Sequence, residues 1–188
     1  MNKICLLSIT ASNHDFHFFN WIQNSIQPDI VFLELFKQMN ISFVQSPKAI
    51  HFTKHNSWDA LEADLKNSPD LFPVLAALCA SANGKSKLFG AAQLRDKESD
   101  RVKKTCELLS ICNVHFNELP DGVEIFGRGR GGIKTSGEVV QFNPDHDHRM
   151  AMAAALMKLA GAPIESTDPQ VVNKSYPNFW NDIGVKNG

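Results

Sequence analysis

The chain has 188 residues, 43% hydrophobic and 9% aromatic, with 19 Lys+Arg against 20 Asp+Glu for a formal net charge of −1. That length and apolar share suffice for one core, or two very small ones, and exclude disorder as the dominant state. A charge this close to zero excludes a general nucleic-acid binder, and the longest apolar stretch, Met150 to Ala162, is short and interrupted by Lys158, which excludes a bilayer span.

In chain order, the apolar stretch Ile4 to Leu7 stops at Ser8 without a secretory cleavage pattern. Residues 3–12 read as the end of an amphipathic helix that begins without a cap, and 16–22 as a strand rich in aromatics. Residues 29–39 place Ile30, Leu33 and Phe36 on one helical face. Strands follow at 41–44 and 49–52, across a Ser46-Pro47 turn. Residues 60–65 alternate as a strand, and Pro69-Asp70 opens a helix to Ala82 that Asn83-Gly84 closes. A strand at 85–89 and a helix at 98–111 come next, then a hairpin of 114–116 and 123–126 around Asp121-Gly122. The remainder reads as a strand at 138–142, a helix at 148–160, a strand at 163–166 and a helix at 175–183.

The first two stretches superpose at an offset of about 71 residues, a repeat signal. Asp29 falls on Asp100, the strand at Phe16 on the strand at Lys87, and the strands at Ile41 and Ile50 on those at Val114 and Val123. The last stretch is a less regular third copy. The first copy lacks an opening strand and the front of its first helix, so it reads as a truncated unit, with Met1 as a processing boundary or the start of an atypical first repeat. The cysteines Cys5, Cys79, Cys106 and Cys112 have no metal-ligand spacing. They read as buried free thiols of a reducing cytoplasm.

Four polar clusters are expected at helix N-termini: Asp70, Lys97-Glu98-Ser99-Asp100-Arg101, Asp147-His148-Arg149 and Lys174-Ser175. Free N–H groups and a partial positive charge suit such positions to anions. Lys97, Arg101, Arg149 and Lys174 suit phosphate or carboxylate, while Asp70 and Glu98 are candidate acid/base groups. Each cluster alone is also an ordinary dipole-favouring terminus with solvated cations. Asp145-His146-Asp147-His148 offers alternating metal ligands with no further Cys or His cluster to support them. Gly127 to Gly132 is rich in Gly and Arg but lacks the strand–loop–helix context of a phosphate loop, and reads as a flexible surface loop. His14, His17, His51, His55 and His115 share no spacing.

Together these residues resemble the 5-enolpyruvylshikimate-3-phosphate synthase family. Leu94-Arg95-Asp96-Lys97-Glu98-Ser99-Asp100-Arg101 is similar to one family signature and Asp147-His148-Arg149-Met150-Ala151-Met152 to a second. Ser25 to Asp29, Pro69-Asp70 and Asn173-Lys174-Ser175-Tyr176-Pro177 fit in order, and the resemblance covers nearly the whole chain. It implies an α/β fold of repeated β-α-β-α-β-β units, helices inside and sheets outside. Residues 1–188 would be the C-terminal domain of a two-domain enolpyruvyl transferase, with the first unit truncated and the N-terminal domain absent.

The implied reaction moves the enolpyruvyl group of phosphoenolpyruvate to the 5-hydroxyl of shikimate 3-phosphate, with loss of phosphate through a tetrahedral adduct. By resemblance Asp70 is the base at the 5-hydroxyl, Glu98 exchanges the proton at the methylene carbon, and Lys97 bridges the substrates. Arg101, Arg149 and Lys174 bind phosphoenolpyruvate with His148 in support, and Gln93 stands near shikimate 3-phosphate. No metal or organic cofactor, nucleic acid or membrane is implied, and glyphosate is the expected inhibitor. The family's remaining substrate-binding clusters have no counterpart here, so the chain alone is expected to be inactive, with Lys97, Arg101, Arg149 and Lys174 close together and unneutralised. The alternatives are a non-catalytic anion-binding domain of the same fold and the related transferase acting on UDP-N-acetylglucosamine.

Overall fold

The computed structural model of the chain describes residues 16–19, 28–53, 55–133 and 137–184. The expected helix at 3–12 and the part of the first strand beyond Phe19 lie outside them.

The middle of the chain contains one full unit. Strand β4 (Glu62–Asp64) alternates exposed, buried, exposed. A 3-10 turn, Pro69–Leu71, leads into a helix at Phe72–Ala80, which is the second helix of the chain, α2, after α1 (Phe32–Gln38). Strand β5 (Asn83–Phe89) returns parallel to β4, with Ala63 opposite Leu88. A 3-10 turn at Ala92–Asp96 precedes α3 (Arg101–Ile111), and the hairpin β6 (His115–Leu119) and β7 (Gly122–Arg128) closes a sheet of order β4-β5-β7-β6.

The preceding segment repeats the second half of this plan. Strand β1 (Phe16–Phe19), a 3-10 turn at Pro28–Val31, α1, β2 (Phe43–Gln45) and β3 (Ala49–Phe52) form a sheet of order β1-β3-β2, with both pairings antiparallel as in β5-β7-β6. The registers fix the repeat. Phe16 faces Phe52 as Ser86 faces Ile125, and Phe43 faces Phe52 as Phe116 faces Ile125. The offset is therefore 70 at the strand before the helix (16 to 86) and 73 from the start of the helical run (28 to 101) through the strand after it (43 to 116), so the second copy has three more residues between strand and helix. Both helices end identically: Asn40 (φ 57) and Asn113 (φ 54) turn left-handed, and Ile41 and Val114 donate back to Phe36 O and Leu109 O at 2.9 Å. This is the Schellman cap, in which the second residue past the helix closes a six-residue loop.

The third segment repeats the first half. Strand β8 (Val140–Phe142), α4 (His148–Leu159) and parallel strand β9 (Ile164–Ser166) match β4-α2-β5, and a 3-10 turn at Pro169–Lys174 precedes the short α5 (Phe179–Asp182). Helix α2 is buried along its whole length, as is α4 from Met150 to Met157, and the two pack on each other. Ala76, Ala77 and Ala80 on one, and Ala151, Ala153, Ala154 and Ala155 on the other, let the backbones approach closely. The outer sheet face carries the pairs Lys85–Glu124 and Lys87–Glu62. Helices inside and sheets outside is thus the observed layering of an α/β fold.

Four expectations change. Asn83-Gly84 does not end α2 but begins β5, since Asn83 N–H donates to Trp58 O and Gly84 (φ 103) pairs with Gly127. Glu98 and Ser99 precede α3 instead of opening it, because Asp100 caps the helix by accepting from Lys103 N–H. Lys174-Ser175 opens no helix; Lys174 is the last residue of a 3-10 turn. Gly127 and Arg128 are not loop but the end of β7, where a Cβ on Gly127 would lie 2.3 Å from Ala82 O.

Candidate active site

Three chain starts converge at one end of the central helix pair. Asp70 lies in the 3-10 turn feeding α2, Glu98 to Arg101 lead into α3, and Asp147 to Arg149 begin α4. Asp147 caps α4 by accepting from Arg149 N–H at 2.9 Å. Its side chain also faces Arg101, and this pair is the centre of the site.

Arg101 is 2% exposed, yet every nitrogen of its guanidinium has a carboxylate. Nε donates to Asp147 Oδ2 at 2.7 Å, and Nη2 donates to Asp147 Oδ1 at 3.3 Å and to Glu98 Oε2 at 2.8 Å. Nη1 donates to Asp70 Oδ1 at 3.0 Å, while Asp70 Oδ2 accepts from Arg149 Nη2. Ser99 Oγ donates to Asp147 Oδ2 at 3.2 Å. A planar five-donor fork is the side chain suited to such a multiply bonded, desolvated position, which a lysine could not fill.

Burial grades outward across the cluster. Asp147 is fully buried, the Asp70 side chain is 37% exposed and that of Glu98 51% exposed. Burial pushes the Asp147 carboxyl up, but the Arg101 hydrogen bond and charge, the Arg149 amide and the Ser99 hydroxyl outweigh it and hold the group below the ordinary carboxylate range. Asp147 is therefore a fixed anion that anchors Arg101. Asp70 and Glu98 reach water and can exchange protons with a molecule lying over them.

His148 is half-buried, and its imidazole is pushed down by desolvation first and by the Arg149 charge second, against the opposing charges of Asp147 and Glu98. At neutral pH it is an uncharged hydrogen-bonding ring, not a further cation.

Of the residues expected from sequence, the structure joins Asp70, Glu98, Arg101 and Arg149 by direct bonds. Lys97 is exposed at the rim and makes no hydrogen bond or ion pair among the described residues. Lys174 Nζ donates to His146 O at 3.1 Å, which ties the turn after β9 to the turn before α4. Gln93 is exposed and donates to Lys66 O at 3.1 Å, apart from the arginine cluster. The expectation of unneutralised cations fails for Arg101 and Arg149, which face three carboxylates because the same helix starts that present the arginines also present the acids; Lys97 and Lys174 make no ion pair among the described residues. Asp147 and Ser99 are the members that sequence reasoning missed. Asp147 was legible only as a helix cap before an apolar run, and its bond across to α3 had no linear signal.

Among the described residues, no three His, Cys, Asp or Glu side chains are placed to share a metal ion. Asp147 of the Asp145 to His148 run is committed to Arg101, and His146 Nδ1 lies 3.1 Å from Asp168 Oδ2.

Residues 10–183 match the model of a protein family described as EPSP synthase (3-phosphoshikimate 1-carboxyvinyltransferase). The chain is 38% identical over 157 residues to a 3-phosphoshikimate 1-carboxyvinyltransferase of Syntrophobacter fumaroxidans, covering 84% of this chain and 36% of the relative. It is 36% identical over 165 residues to that of Pyrococcus abyssi, covering 87% and 38%. An EPSP synthase structure from Acinetobacter baumannii superposes with a TM-score of 0.78 at 24% identity, over 96% of this chain and 44% of that one. The chain thus spans little more than a third of the length of the curated relatives it matches.

Proposed function

The chain belongs to the EPSP synthase family, the 3-phosphoshikimate 1-carboxyvinyltransferases, and on that basis we propose that it forms one wall of such an enzyme's active cleft. In this reading residues 1–188 are the C-terminal domain, and the complete protein transfers the enolpyruvyl group of phosphoenolpyruvate to the 5-hydroxyl of shikimate 3-phosphate and releases phosphate. An N-terminal domain supplies the other wall. The observation that carries the proposal is the convergence of Asp70 and Glu98, both solvent-reaching acids, on the paired guanidiniums of Arg101 and Arg149.

The chemistry needs three things of this wall. Cations must hold the carboxylate and phosphate of phosphoenolpyruvate, an acid must place a proton on its methylene carbon, and a base must take the proton of the attacking hydroxyl. Arg101 and Arg149 are the carboxylate clamp, Lys174 is a further cation for phosphoenolpyruvate, and Lys97 bridges the two substrates. Glu98 protonates the methylene carbon as the hydroxyl oxygen bonds to the adjacent carbon. The resulting tetrahedral adduct then gives that proton back as the C–O bond to phosphate breaks. Asp70 takes the hydroxyl proton. His148 donates a neutral hydrogen bond, and Gln93 contacts shikimate 3-phosphate from the turn after β5.

A bare anion-binding module is the weaker reading, because it gains nothing from three carboxylates set among its cations. The proposal also places the protein in the cytoplasm. No helix among the described residues is long and apolar enough to cross a membrane. Isothermal titration of the chain with phosphoenolpyruvate tests the wall itself. Binding that Arg149→Gln weakens at least about tenfold, and that glyphosate displaces, is the expected result. Equal affinity in the variant would overturn the assignment.

A further inference from the structure

Resting on the function proposed above, we infer that Arg95 is the positioning residue that holds Lys97 and Glu98 in place for the reaction. Arg95 lies in the Ala92–Asp96 turn, three residues before Glu98. It has no contact with the Arg101–Asp147 pair and no part in the steps assigned to this wall, so it acts through the segment that follows it.

All three guanidinium nitrogens of Arg95 are used. Nε donates to Pro120 O at 2.9 Å, and Nη2 donates to Leu119 O and to Glu118 Oε1, both at 2.8 Å. Nη1 donates to Asp100 Oδ2 at 3.2 Å, while Asp100 Oδ1 accepts from Lys103 N–H to cap α3. One side chain thus closes a loop from residue 95 to residue 100 and fastens it to the turn of the β6–β7 hairpin. The same hairpin turn holds the chain just upstream, since Gly90 N–H donates to Asp121 Oδ2 and Ala91 N–H to Asp121 O. Within the closed loop Leu94 and Ser99 are buried, and Lys97 and Glu98 are exposed between them. A lysine at 95 could reach only part of this set of acceptors.

The loop needs such a fastening because the Glu98 side chain has no lasting one of its own. Its hydrogen bond among the described residues is to Arg101, at 2.8 Å. In the proposed reaction that guanidinium is taken by the substrate carboxylate, and Glu98 must then deliver its proton from a position set by its backbone. Arg101 itself stays fixed, because Asp147 anchors it from the buried side. Arg95 therefore governs the placement of the acid and leaves the carboxylate clamp alone.

The test is ¹⁵N relaxation on the isotopically labelled full chain, read beside turnover when the chain is complemented with the N-terminal segment of a full-length relative. In the unaltered chain the amides of Lys97 and Glu98 should have order parameters of about 0.85, and Arg95→Gln should lower them below about 0.6 while α3 from Val102 onward is unchanged. Arg95→Lys should do the same, since it keeps the charge and loses the fork. Asp100→Asn keeps the α3 cap but turns an amide N–H toward Arg95, so it should loosen the same two amides; it decides the matter where an Arg95 variant does not fold. In the complemented enzyme the Arg95 variants should lower kcat at least about thirtyfold and change KM for phosphoenolpyruvate less than about threefold, because a misplacement of about 1 Å costs on the order of a hundredfold in rate. A general loss of stability would not split kcat from KM in this way. Order parameters at Lys97 and Glu98 that stay high in every folded variant, or kcat and KM that change together, would overturn the role of Arg95. Absence of turnover by the unaltered complemented chain would instead contradict the proposed function, with the relaxation result still deciding for or against Arg95.

Discussion

Asp70 bridges two guanidiniums: its Oδ1 accepts from Arg101 at 3.0 Å and its Oδ2 from Arg149. One internal carboxylate thus occupies the arginine pair that the proposed function assigns to phosphoenolpyruvate. An incoming substrate carboxylate must displace it, which frees Asp70 to act as a base. Asp70→Asn removes the competing charge while keeping the shape. It should bind phosphoenolpyruvate at least about tenfold tighter in a titration of the chain, although it cannot take a proton. Unchanged or weaker binding would show that Asp70 does not compete for this site.

The Arg101–Asp147 pair is closed to solvent, so breaking it leaves a buried charge. Arg101→Met and Asp147→Leu should each lower unfolding stability by about 3–5 kcal/mol in urea titrations. Asp147→Leu should cost about 1 kcal/mol more through loss of the α4 cap. The double variant should recover part of the sum, since neither charge is then stranded. Strictly additive losses would mean the two side chains do not interact.

Acid should destabilise the chain in two stages. The folded-state value of His148 lies below the ordinary 6.5, so its contribution is fully present above 6.5 and is lost as pH falls through the native value. Asp147 lies below the ordinary 3.8, so its contribution persists above 3.8 and is lost as pH falls through its own native value. Urea midpoints measured across this range check both steps. His148→Gln should remove the first decline and leave the second.

Cys79, Cys106 and Cys112 are buried, and burial is the first cause raising each thiol to about 12. Reactivity needs the thiolate, so none of the three should be alkylated in the native chain at about pH 8, while all three react in denaturant. Peptide mapping by mass spectrometry reads this directly. Rapid native labelling of Cys79 would contradict the packing of α2.

Asn40 and Asn113 sit at matching left-handed positions after α1 and α3. Replacement of Asn113 by Ala should cost about 1 kcal/mol, and replacement by Gly should be near neutral, in thermal unfolding. The same ordering is expected at Asn40, because the two caps are copies of one device.

The repeat was legible because strand and helix periodicities recur in order, and the offset of about 71 lies between the 70 and 73 that pairing sets. The start of α4 at His148 agrees with the sequence reading, whereas that of α3 was set at Glu98, ahead of its Asp100 cap, because acids also favour the turn before a helix. The last helix was misplaced for a different reason. Lys174 precedes Tyr176 and Phe179, whose apolar spacing imitates a helix, while the chain there first completes a 3-10 turn. The arginine and acid residues of the site were each identifiable, but their mutual neutralisation was not. Asp70 and Arg149 are far apart in sequence and meet only because α2 and α4 pack side by side.

The most direct measurement is phosphate release from phosphoenolpyruvate by this chain, alone and mixed with a separately produced N-terminal segment of a full-length relative. The account predicts no turnover alone and restored release in the mixture with shikimate 3-phosphate, with none when UDP-N-acetylglucosamine replaces it, and loss of at least about a hundredfold in rate with Glu98→Gln. Release by the chain alone at a normal enzymatic rate, or a stable but inactive mixture, would contradict it.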